Sequence, residues 1–361
     1  MDETIPPGQD GFDAQSGLVW RYLPAPNGGS DCLAVVYSQV RVPAGRFGLE
    51  RLFANTRHAC LFLNCPDPVW YLGCEAAMDR AIDQAAKASG AARIIHYGAS
   101  KGAYGALAAA LRRGDGRAFA FGPELVLGRP GSQSGAVRHP AMANAPDMAE
   151  QLQRAGAGPE LTLVFGIFDA TDTAGAVALS SRDLPERVRV LTLASSHASH
   201  DHLYTLNIAR KLIAGFTRDL AALCAERGLI ADDAPADLAR FAGFAASMAE
   251  TAEQGAGTET VVADAVASAL ADPYARLNPG YGLAVAQALL RLQRREEAAG
   301  WLGSVQERID AMPGAGSLPK RWLKTVWRAR LSALEGEARA VLLAKAQARF
   351  PGETFEESGP A

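Results

Sequence analysis

The sequence predicts an α/β fold, in which a mostly parallel sheet has helices on both faces and an all-helical region follows the sheet. Two observations lead to this prediction. Between residues 17 and 226, short apolar runs alternate with helical patterns, an order typical of parallel sheets. After residue 228 alanine, leucine, glutamate and arginine dominate, and no strand pattern remains. We therefore expect a mobile N-terminus at residues 1–16, an α/β domain at residues 17–226 and a helical region at residues 227–361.

Seven apolar segments are predicted to form the sheet, because each is short and is bounded by turn residues or by a helical pattern. They are residues 18–23, 32–40, 59–64, 91–95, 118–121, 161–168 and 188–193. Helical patterns lie between or after them at residues 75–89, 103–112, 174–182 and 203–226. Residues 123–158 contain scattered proline, glycine, serine and asparagine, so we predict loops there and expect them to line a pocket.

Four helices are predicted in the C-terminal region, at residues 281–292, 296–312, 319–335 and 337–350. Residues 283–289 and 294–298 resemble a degenerate helical-hairpin repeat of the tetratricopeptide type. The segment lacks a clean repeat consensus, so a plain helical appendage is the alternative. Either form offers a surface to which a protein partner could bind.

Composition and charge exclude several classes of function. The chain has 361 residues, 48% hydrophobic and 21% charged, and a net charge of −3, which gives no reason to expect a nucleic-acid partner. Its apolar stretches are shorter than the roughly 18 residues that a membrane span needs. The acidic start, Met1-Asp2-Glu3-Thr4, lacks the order of a signal peptide, so we expect a cytoplasmic protein. The five cysteines form no C-x-x-C pair, so we expect no disulfide framework and no structural metal.

A glycine–serine motif lies between a predicted strand and a predicted helix. Gly98-Ala99-Ser100-Lys101-Gly102 follows the apolar lead-in at residues 91–95 and precedes the alanine-rich helix. This is the pattern of a nucleophile elbow, a sharp turn that holds a serine in strained geometry. Glycines flank the serine because the helix passes too close to the strand for a Cβ atom. The alternative is an ordinary strand-to-helix turn in which Ser100 only caps the helix.

The ten residues 98–107, GASKGAYGAL, resemble the elbow of the α/β-hydrolases. They resemble more loosely a bacterial subgroup with a G-S-S-M-G-G-Y-G-A-L elbow, linked to surface-polysaccharide or secretion functions. Lys101 replaces the usual small or apolar residue, and Ala103 replaces a glycine. The resemblance implies an α/β-hydrolase-like catalytic domain and a Ser–acid–His triad in that chain order.

The acid of such a triad follows a strand, and two aspartates meet this condition. Asp169 ends the segment Gly166-Ile167-Phe168-Asp169, at the carboxyl end of the strand predicted at residues 161–168. Asp172 follows three residues later. We favour Asp169, because its spacing from the strand matches the position at which the family carries its acid. Either residue could instead form an Asx turn or the N-cap of the next helix.

Three histidines follow the last predicted strand, where the family carries its base. Ser199-His200-Asp201 resembles the G-H-x segment of the looser subgroup, so His200 is the first candidate, His202 the second and His197 the third. The alternative is that the three histidines and Asp201 bind a metal ion, since imidazole suits zinc. Loop histidines without cysteine or a distant glutamate are poor evidence for such a site, and we predict none.

The oxyanion of acyl transfer needs N–H donors. By its position in the motif, the backbone N–H of Lys101 is one donor. The resemblance implies a second donor from the loop after the third strand, at Ser38-Gln39-Val40, with the N–H near Gln39 favoured. We expect the Lys101 side chain to lie on the surface, although it could instead attract an anionic substrate.

These observations predict a serine hydrolase of the esterase, deacetylase or acyltransferase kind. Ser100 is the predicted nucleophile, His200 the base and Asp169 the orienting acid, and the chemistry needs no cofactor. The substrate is expected to be a small-molecule or saccharide ester. The alternative is a non-catalytic hydrolase-like module in polysaccharide assembly or secretion that binds a protein through its helical tail.

Overall fold

A computed structural model describes residues 5–26, 31–156 and 158–355 of the chain. Within them, eight strands form one sheet in the order β1-β2-β4-β3-β5-β6-β7-β8. The strands are β1 (Asp10–Phe12), β2 (Val19–Leu23), β3 (Cys32–Tyr37), β4 (Ala59–Asn64), β5 (Arg93–Ala99), β6 (Arg117–Phe121), β7 (Glu160–Gly166) and β8 (Val188–Leu193).

The sheet is parallel except at one edge. β2 pairs antiparallel with β1 and with β4, and all other neighbouring strands are parallel. Parallel strands are buried on both faces, and every residue of β3 and β4 is buried. The carboxyl ends of the parallel strands therefore meet at one edge, where side chains from distant parts of the sequence converge.

Nine α-helices lie within the described part of residues 31–226, and two of them flank β5, one before it and one after it. They are α1 (Glu50–Phe53), α2 (Glu75–Ser89), α3 (Lys101–Arg113), α4 (Gln133–Val137), α5 (Met148–Gln153), α6 (Ala170–Ser180), α7 (Ser199–Thr205), α8 (Ile208–Ile213) and α9 (Leu220–Ala225). Alternate residues of β3 pack on opposite sides: Leu33 and Val35 share a core with α2, whereas Ala34 and Val36 share one with α8 and α9. This arrangement confirms the predicted α/β fold.

The regular structure described after residue 226 is helical, apart from one antiparallel bridge between Ile230 and Leu193 of β8. Its helices are α10 (Pro235–Gln254), α11 (Glu259–Ala271), α12 (Pro273–Leu277), α13 (Pro279–Arg291), α14 (Arg295–Asp310), α15 (Lys320–Ser332) and α16 (Gly336–Arg349). α10 packs against α6, and the core of this region includes Ile167 and Phe168, which directly follow β7. The helical region thus contacts the edge of the sheet at which the strands end.

Several predicted boundaries differ from the observed ones. Residues 10–12, inside the segment expected to be mobile, form β1, because Asp10 to Phe12 pair with β2 and Asp10 also pairs with Arg21; residues 1–4 lie outside the described residues. The segment predicted as loops at 123–158 contains α4, α5 and a 3₁₀ helix, Pro140–Asn144. The helices α10, α11 and α12 lie outside the four helices that the sequence predicts for the C-terminal region.

No helix among the described residues is long and apolar enough to cross a membrane.

Candidate functional site

Ser100 occupies a sharp turn between β5 and α3. Its backbone has φ 54° and ψ −124°, outside the regions that L-residues favour. A Cβ atom on Gly98 would lie 2.1 Å from the carbonyl oxygen of Gly102, and one on Gly102 would lie 2.3 Å from that of Tyr37. Only glycine fits at both positions, so the local geometry is that of an elbow that presents a serine at the end of its strand.

Ser100, His197 and Asp172 form a continuous chain of hydrogen bonds. His197 Nε2 lies 3.0 Å from Ser100 Oγ, and His197 Nδ1 lies 2.7 Å from Asp172 Oδ1. The other carboxylate oxygen of Asp172 accepts the Gly166 N–H at 2.8 Å, which fixes the side chain. Because a carboxylate only accepts, neutral His197 carries its proton on Nδ1, and Nε2 faces the serine as an acceptor. Asp172 is fully buried, and His197 is about one-fifth exposed.

Negative charge surrounds His197. Burial of the ring opposes its charged form, but the charge of Asp172, its hydrogen bond, and the charges of Asp169 and Glu124 outweigh burial and raise the pKa of His197 to about 9. At neutral pH the ring is therefore mostly protonated. A proton-accepting role for His197 becomes available as the pH rises.

The first candidate for the base, His200, does not reach the serine. Its Nε2 lies 2.9 Å from Tyr97 Oη, and the buried ring packs edge-on against Tyr97 and Phe121. The prediction of His200 as the base was wrong because it placed the turn of the loop after β8 too far along the chain. α7 already begins at Ser199, so residue 200 is helical. The chain crosses over the end of β7 earlier, at Ser196, so His197 is the residue brought over the serine.

The second candidate, His202, also lies away from Ser100. Its Nδ1 is 3.0 Å from Ser195 Oγ, and its Nε2 is 3.0 Å from Ser317 Oγ in the helical region. Burial lowers the pKa of His202 to about 4. This histidine therefore joins the sheet part of the chain to the helical region.

Asp169 caps α6 and does not contact the histidine through a hydrogen bond. Its Oδ1 accepts the N–H groups of Thr171 and Asp172, at 2.9 and 3.1 Å. Burial, and then the charge of Asp172, raise the pKa of Asp169. The N-cap role considered as the alternative for either aspartate belongs to Asp169, and the residue bonded to the histidine lies one helical turn later.

The three histidines proposed as an alternative metal site have different partners and do not converge. Among the described residues, the potential ligand atoms of Asp169, Asp172 and His197 lie within 4.8 Å of one another. Both oxygens of Asp172, Nδ1 of His197 and Oδ1 of Asp169 are already in hydrogen bonds. This donor set fits a network that orients an imidazole better than it fits a cation site.

Two of the three predicted oxyanion donors are available. Within the described residues, the N–H groups of Lys101 and Gln39 have no hydrogen-bond acceptor. The Ser38 N–H donates to the Leu63 carbonyl oxygen at 2.9 Å, so it is already occupied. The close approach of Gly102 to Tyr37 brings the end of β3 directly against the elbow. An oxyanion pocket at this place would use Lys101 and Gln39, without Ser38.

The Lys101 side chain is buried, contrary to the expected surface position. Only 1% of the residue is exposed, and Nζ donates to the Cys65 carbonyl oxygen. The ammonium also lies 5.3 Å from the centre of the Tyr71 ring. Burial lowers the pKa of Lys101. No local pattern in the sequence predicts this burial, because it depends on the loop after β4 covering the lysine.

Gln133 is a residue of the site that the sequence does not predict. When His197 is protonated, its Nε2–H donates to Ser100 Oγ, and the Ser100 hydroxyl can then donate to Gln133 Oε1, 3.4 Å away. The segment is held by buried Glu124, whose carboxylate accepts the N–H and the hydroxyl of Ser134, and by Ser132, which caps α4. No motif marks Gln133, although it falls in the segment expected to line a pocket. A cavity of about 330 Å³ adjoins it between residues 124–132, α6 and α10.

The fold is α/β-hydrolase-like, with the serine after β5, Asp172 after β7 and His197 after β8. No protein-family model matches the chain, and no curated protein matches it. Several solved structures, among them the following three, are similar to the chain at low identity. An α/β serine hydrolase homologue from Coxiella burnetii is 13% identical, with a TM-score of 0.40, over 60% of this chain and 100% of the other.

The second is the capsule O-acetyltransferase of Neisseria meningitidis serogroup A, 11% identical, with a TM-score of 0.41, over 56% of this chain and 94% of the other. The third is the Glycosylation Associate Protein (Gap123) complex from Streptococcus agalactiae, 16% identical, with a TM-score of 0.43. That similarity covers 58% of this chain and 47% of the other chain, about half of its length.

Proposed function

We propose that the protein is a serine hydrolase or acyltransferase, in which Ser100 is the nucleophile, His197 the general base and Asp172 the orienting acid. One observation carries the proposal: two hydrogen bonds, of 3.0 and 2.7 Å, link a serine at a strained elbow to a histidine and a buried carboxylate. A serine hydroxyl becomes a useful nucleophile when an imidazole accepts its proton. His197 and Asp172 replace the first sequence candidates, His200 and Asp169.

The proposed reaction proceeds in two steps. Ser100 Oγ attacks the acyl carbonyl carbon while its proton passes to His197 Nε2, and Asp172 stabilises the resulting imidazolium. The N–H groups of Lys101 and Gln39 stabilise the oxyanion. His197 then protonates the leaving alcohol, which departs as the acyl–Ser100 ester forms. Water or an acceptor hydroxyl attacks that ester while its proton passes to His197. His197 then returns this proton to Ser100 Oγ as the bond between Ser100 and the acyl group breaks.

We propose an ester of a small molecule or saccharide as the substrate. The cavity bounded by residues 124–132, α6 and α10 offers an apolar wall beside the site, through Leu125, Ala170 and Ala174. Ser132, immediately before Gln133, also lines this cavity, so the cavity begins one residue from a contact of the nucleophile. No residue of the proposed mechanism requires a cofactor.

A fluorophosphonate probe tests the proposal and separates it from a non-catalytic scaffold. The probe should label wild-type protein at Ser100 and fail to label Ser100→Ala. His197→Ala should lower the labelling rate and ester turnover by about 10³-fold or more, since triad members act as a unit. His200→Ala is the matched control, and it should retain turnover within about tenfold. Labelling that depends on His200 and survives His197→Ala would contradict the assignment, and no labelling of the wild type would favour the scaffold.

A further inference from the structure

Two cysteines that the proposed mechanism does not use lie together beneath the elbow. Cys65 directly follows β4, and Cys74 precedes the first residue of α2. Their sulfur atoms are 3.6 Å apart, and both residues are completely buried as free thiols. Eight residues separate the two cysteines in the sequence, and this spacing does not predict that they pair. Their contact depends on how the intervening loop folds back.

Lys101 connects this thiol pair to the nucleophile. It follows Ser100 in the chain, and its buried Nζ donates to the carbonyl oxygen of Cys65. A buried ammonium is stabilised by nearby negative charge. The S–H of Cys74 donates to Cys65 Sγ, and this contact, together with the charge of Lys101, lowers the pKa of Cys65, while the same contact raises the pKa of Cys74. Cys65 is therefore the sulfur that more readily becomes a thiolate.

The loop between the two cysteines also contacts the oxyanion side of the site. Trp70, Tyr71 and Gly73 have φ of 52°, 64° and 79°, and these left-handed residues turn the chain so that Cys74 returns to Cys65. Tyr71 Oη donates to the carbonyl oxygens of Ser38 and Leu63, at 2.9 and 3.2 Å. Ser38 precedes Gln39, so a shift of this loop reaches both expected N–H donors, one through Tyr71 and one through Lys101.

We propose that Cys65 and Cys74 are a redox-modification site, at which a reversible disulfide distorts the elbow and lowers activity. The effect on activity rests on the proposed function, whereas formation of the disulfide does not. The sulfur atoms need to close from 3.6 Å to about 2.05 Å. Cys74 Sγ lies 3.6 Å from the Ser16 carbonyl oxygen, so an oxidant gains access when the turn at residues 13–17 opens locally.

The oxidant is a peroxide, and the chemistry balances as two thiols and one hydrogen peroxide giving one disulfide and two waters. The Cys65 thiolate attacks one peroxide oxygen; an S–O bond forms, the O–O bond breaks and hydroxide leaves. The Cys74 sulfur then attacks the Cys65 sulfenic acid, so the S–S bond forms and the S–O bond breaks. The hydroxyl departs as water with the Cys74 proton. A small thiol reverses the modification by exchange.

The test oxidises the full-length protein with hydrogen peroxide, blocks remaining thiols with an alkylating agent and maps peptides by mass spectrometry. The expected product is a cross-link between Cys65 and Cys74, with the loss of two hydrogen atoms, that dithiothreitol removes. Ester turnover of the oxidised protein should fall about tenfold, as expected for a small displacement of catalytic groups. Cys74→Ala should form no cross-link and keep its turnover under peroxide, whereas the control Cys224→Ala should behave as wild type.

Lys101→Met tests the role of the ammonium by the rate of cross-linking alone. Without the ammonium, the thiolate fraction of Cys65 falls, and cross-linking should slow about tenfold. Cross-linking of Lys101→Met at the wild-type rate would overturn that role. Peroxide that converts Cys65 to a sulfinic acid without a cross-link would overturn the modification site. A cross-link that leaves turnover unchanged would overturn its coupling to the elbow. The mapping needs no substrate, so it decides the site even if the reduced protein proves to have no hydrolase activity.

Discussion

At the scale of single residues, the charge around His197 sets the pH at which the proposed base can act. Asp172, Asp169 and Glu124 together hold the pKa of this ring at about 9, against the opposing effect of burial. A protonated imidazole cannot accept the proton of Ser100. At neutral pH the site is thus assembled, but in most molecules His197 is protonated and cannot act as a base.

The pH dependence of turnover follows directly. The ratio kcat/KM for a neutral ester should rise about tenfold per pH unit below the pKa of His197 and level off above it, since only the neutral ring is competent. The midpoint should lie near pH 9. Asp172→Asn removes the largest favourable contact of the charged ring, so the midpoint should move to lower pH. The plateau should also fall, by about 10³–10⁴-fold. A wild-type profile that is flat from neutral pH upward would contradict this electrostatic account.

At the scale of elements, the strands and the elbow could be predicted from the sequence, but the connections between them could not. Apolar runs locate β4 and β8 to the residue, and the flanking glycines identify Ser100, because both signals are local. The choice between Asp169 and Asp172 depended on where α6 begins, and the choice of histidine depended on where the loop after β8 turns. These are questions of three-dimensional register, about which residue spacing carries little information.

Two predictions were wrong for the same reason: that the Lys101 side chain lies on the surface, and that residues 10–12 belong to a mobile segment. A lysine after the nucleophile is exposed or buried according to whether the loop after β4 covers it, and that loop folds through left-handed residues such as Trp70. β1 has three residues, too few for a periodic pattern, and it is defined by its partner β2. A feature that is determined by a distant segment of the chain cannot be predicted from the residues around it.

The crossing of β7 by the loop that carries His197 makes a further prediction. A Cβ atom on Gly166 would lie 2.1 Å from the carbonyl oxygen of Ser196, a backbone atom that cannot rotate away. Gly166→Ala should therefore push the loop outward and separate His197 from Ser100, with kcat falling by about 10–100-fold. Far-ultraviolet circular dichroism should remain unchanged, and steady-state kinetics measure the loss.

Gly243→Ala provides the matched control for that change. Gly243 lies within α10, and a Cβ atom there would meet nothing within 4 Å. Its replacement by alanine should leave kcat unchanged and stabilise the helix by about 0.5–1 kcal/mol. If Gly166→Ala retained full kcat while Gly243→Ala behaved as expected, the loop crossing would not position His197.

At the scale of the whole molecule, the helical region contacts the segments that carry the candidate site. Asn278 Nδ2 donates to the Ile167 carbonyl oxygen at 3.0 Å, and Trp322 stacks on Phe168, with ring centres 5.3 Å apart. Both contacts fall within six residues of Asp172. The hydrogen bond between His202 and Ser317 joins the helical region to the segment after β8, five residues beyond His197. The helices therefore support the loops on which the acid and the base are placed.

Removal of the helical region should consequently disturb the candidate site as well as shorten the chain. A fragment of residues 1–226 exposes Ile167 and Phe168, and it loses the bonds that join residues 229–231 to Thr192 and Ala194 at the end of β8. We expect this fragment to aggregate or to lose fluorophosphonate labelling by at least about 100-fold. Size-exclusion chromatography and labelling measure the outcome. A monomeric fragment with full labelling would instead support residues 17–226 as an independent domain.

The stability of the whole chain should depend on pH through two histidines with opposite shifts. The folded pKa of His197 is raised from 6.5 to about 9, so its contribution is complete below pH 6.5 and is lost as the pH rises through 9. Burial lowers the pKa of His202 from 6.5 to about 4, so its contribution is complete above pH 6.5 and is lost as the pH falls toward 4. Each contribution is on the order of 3 kcal/mol, the free energy that corresponds to the difference between the pKa of the ring in the unfolded and the folded chain.

The free energy of unfolding should therefore pass through a maximum near pH 6.5, well below the pH at which turnover is greatest. Burial also lowers the pKa values of His58 and His96, which adds to the loss on the acid side. Urea unfolding at a series of pH values measures the curve. His197→Gln should flatten its alkaline side and His202→Gln its acid side, because each variant removes one titrating ring. A wild-type maximum that coincides with the pH of highest turnover would contradict the opposite shifts of these two histidines, since a stabilised imidazolium at the site cannot also be the active base.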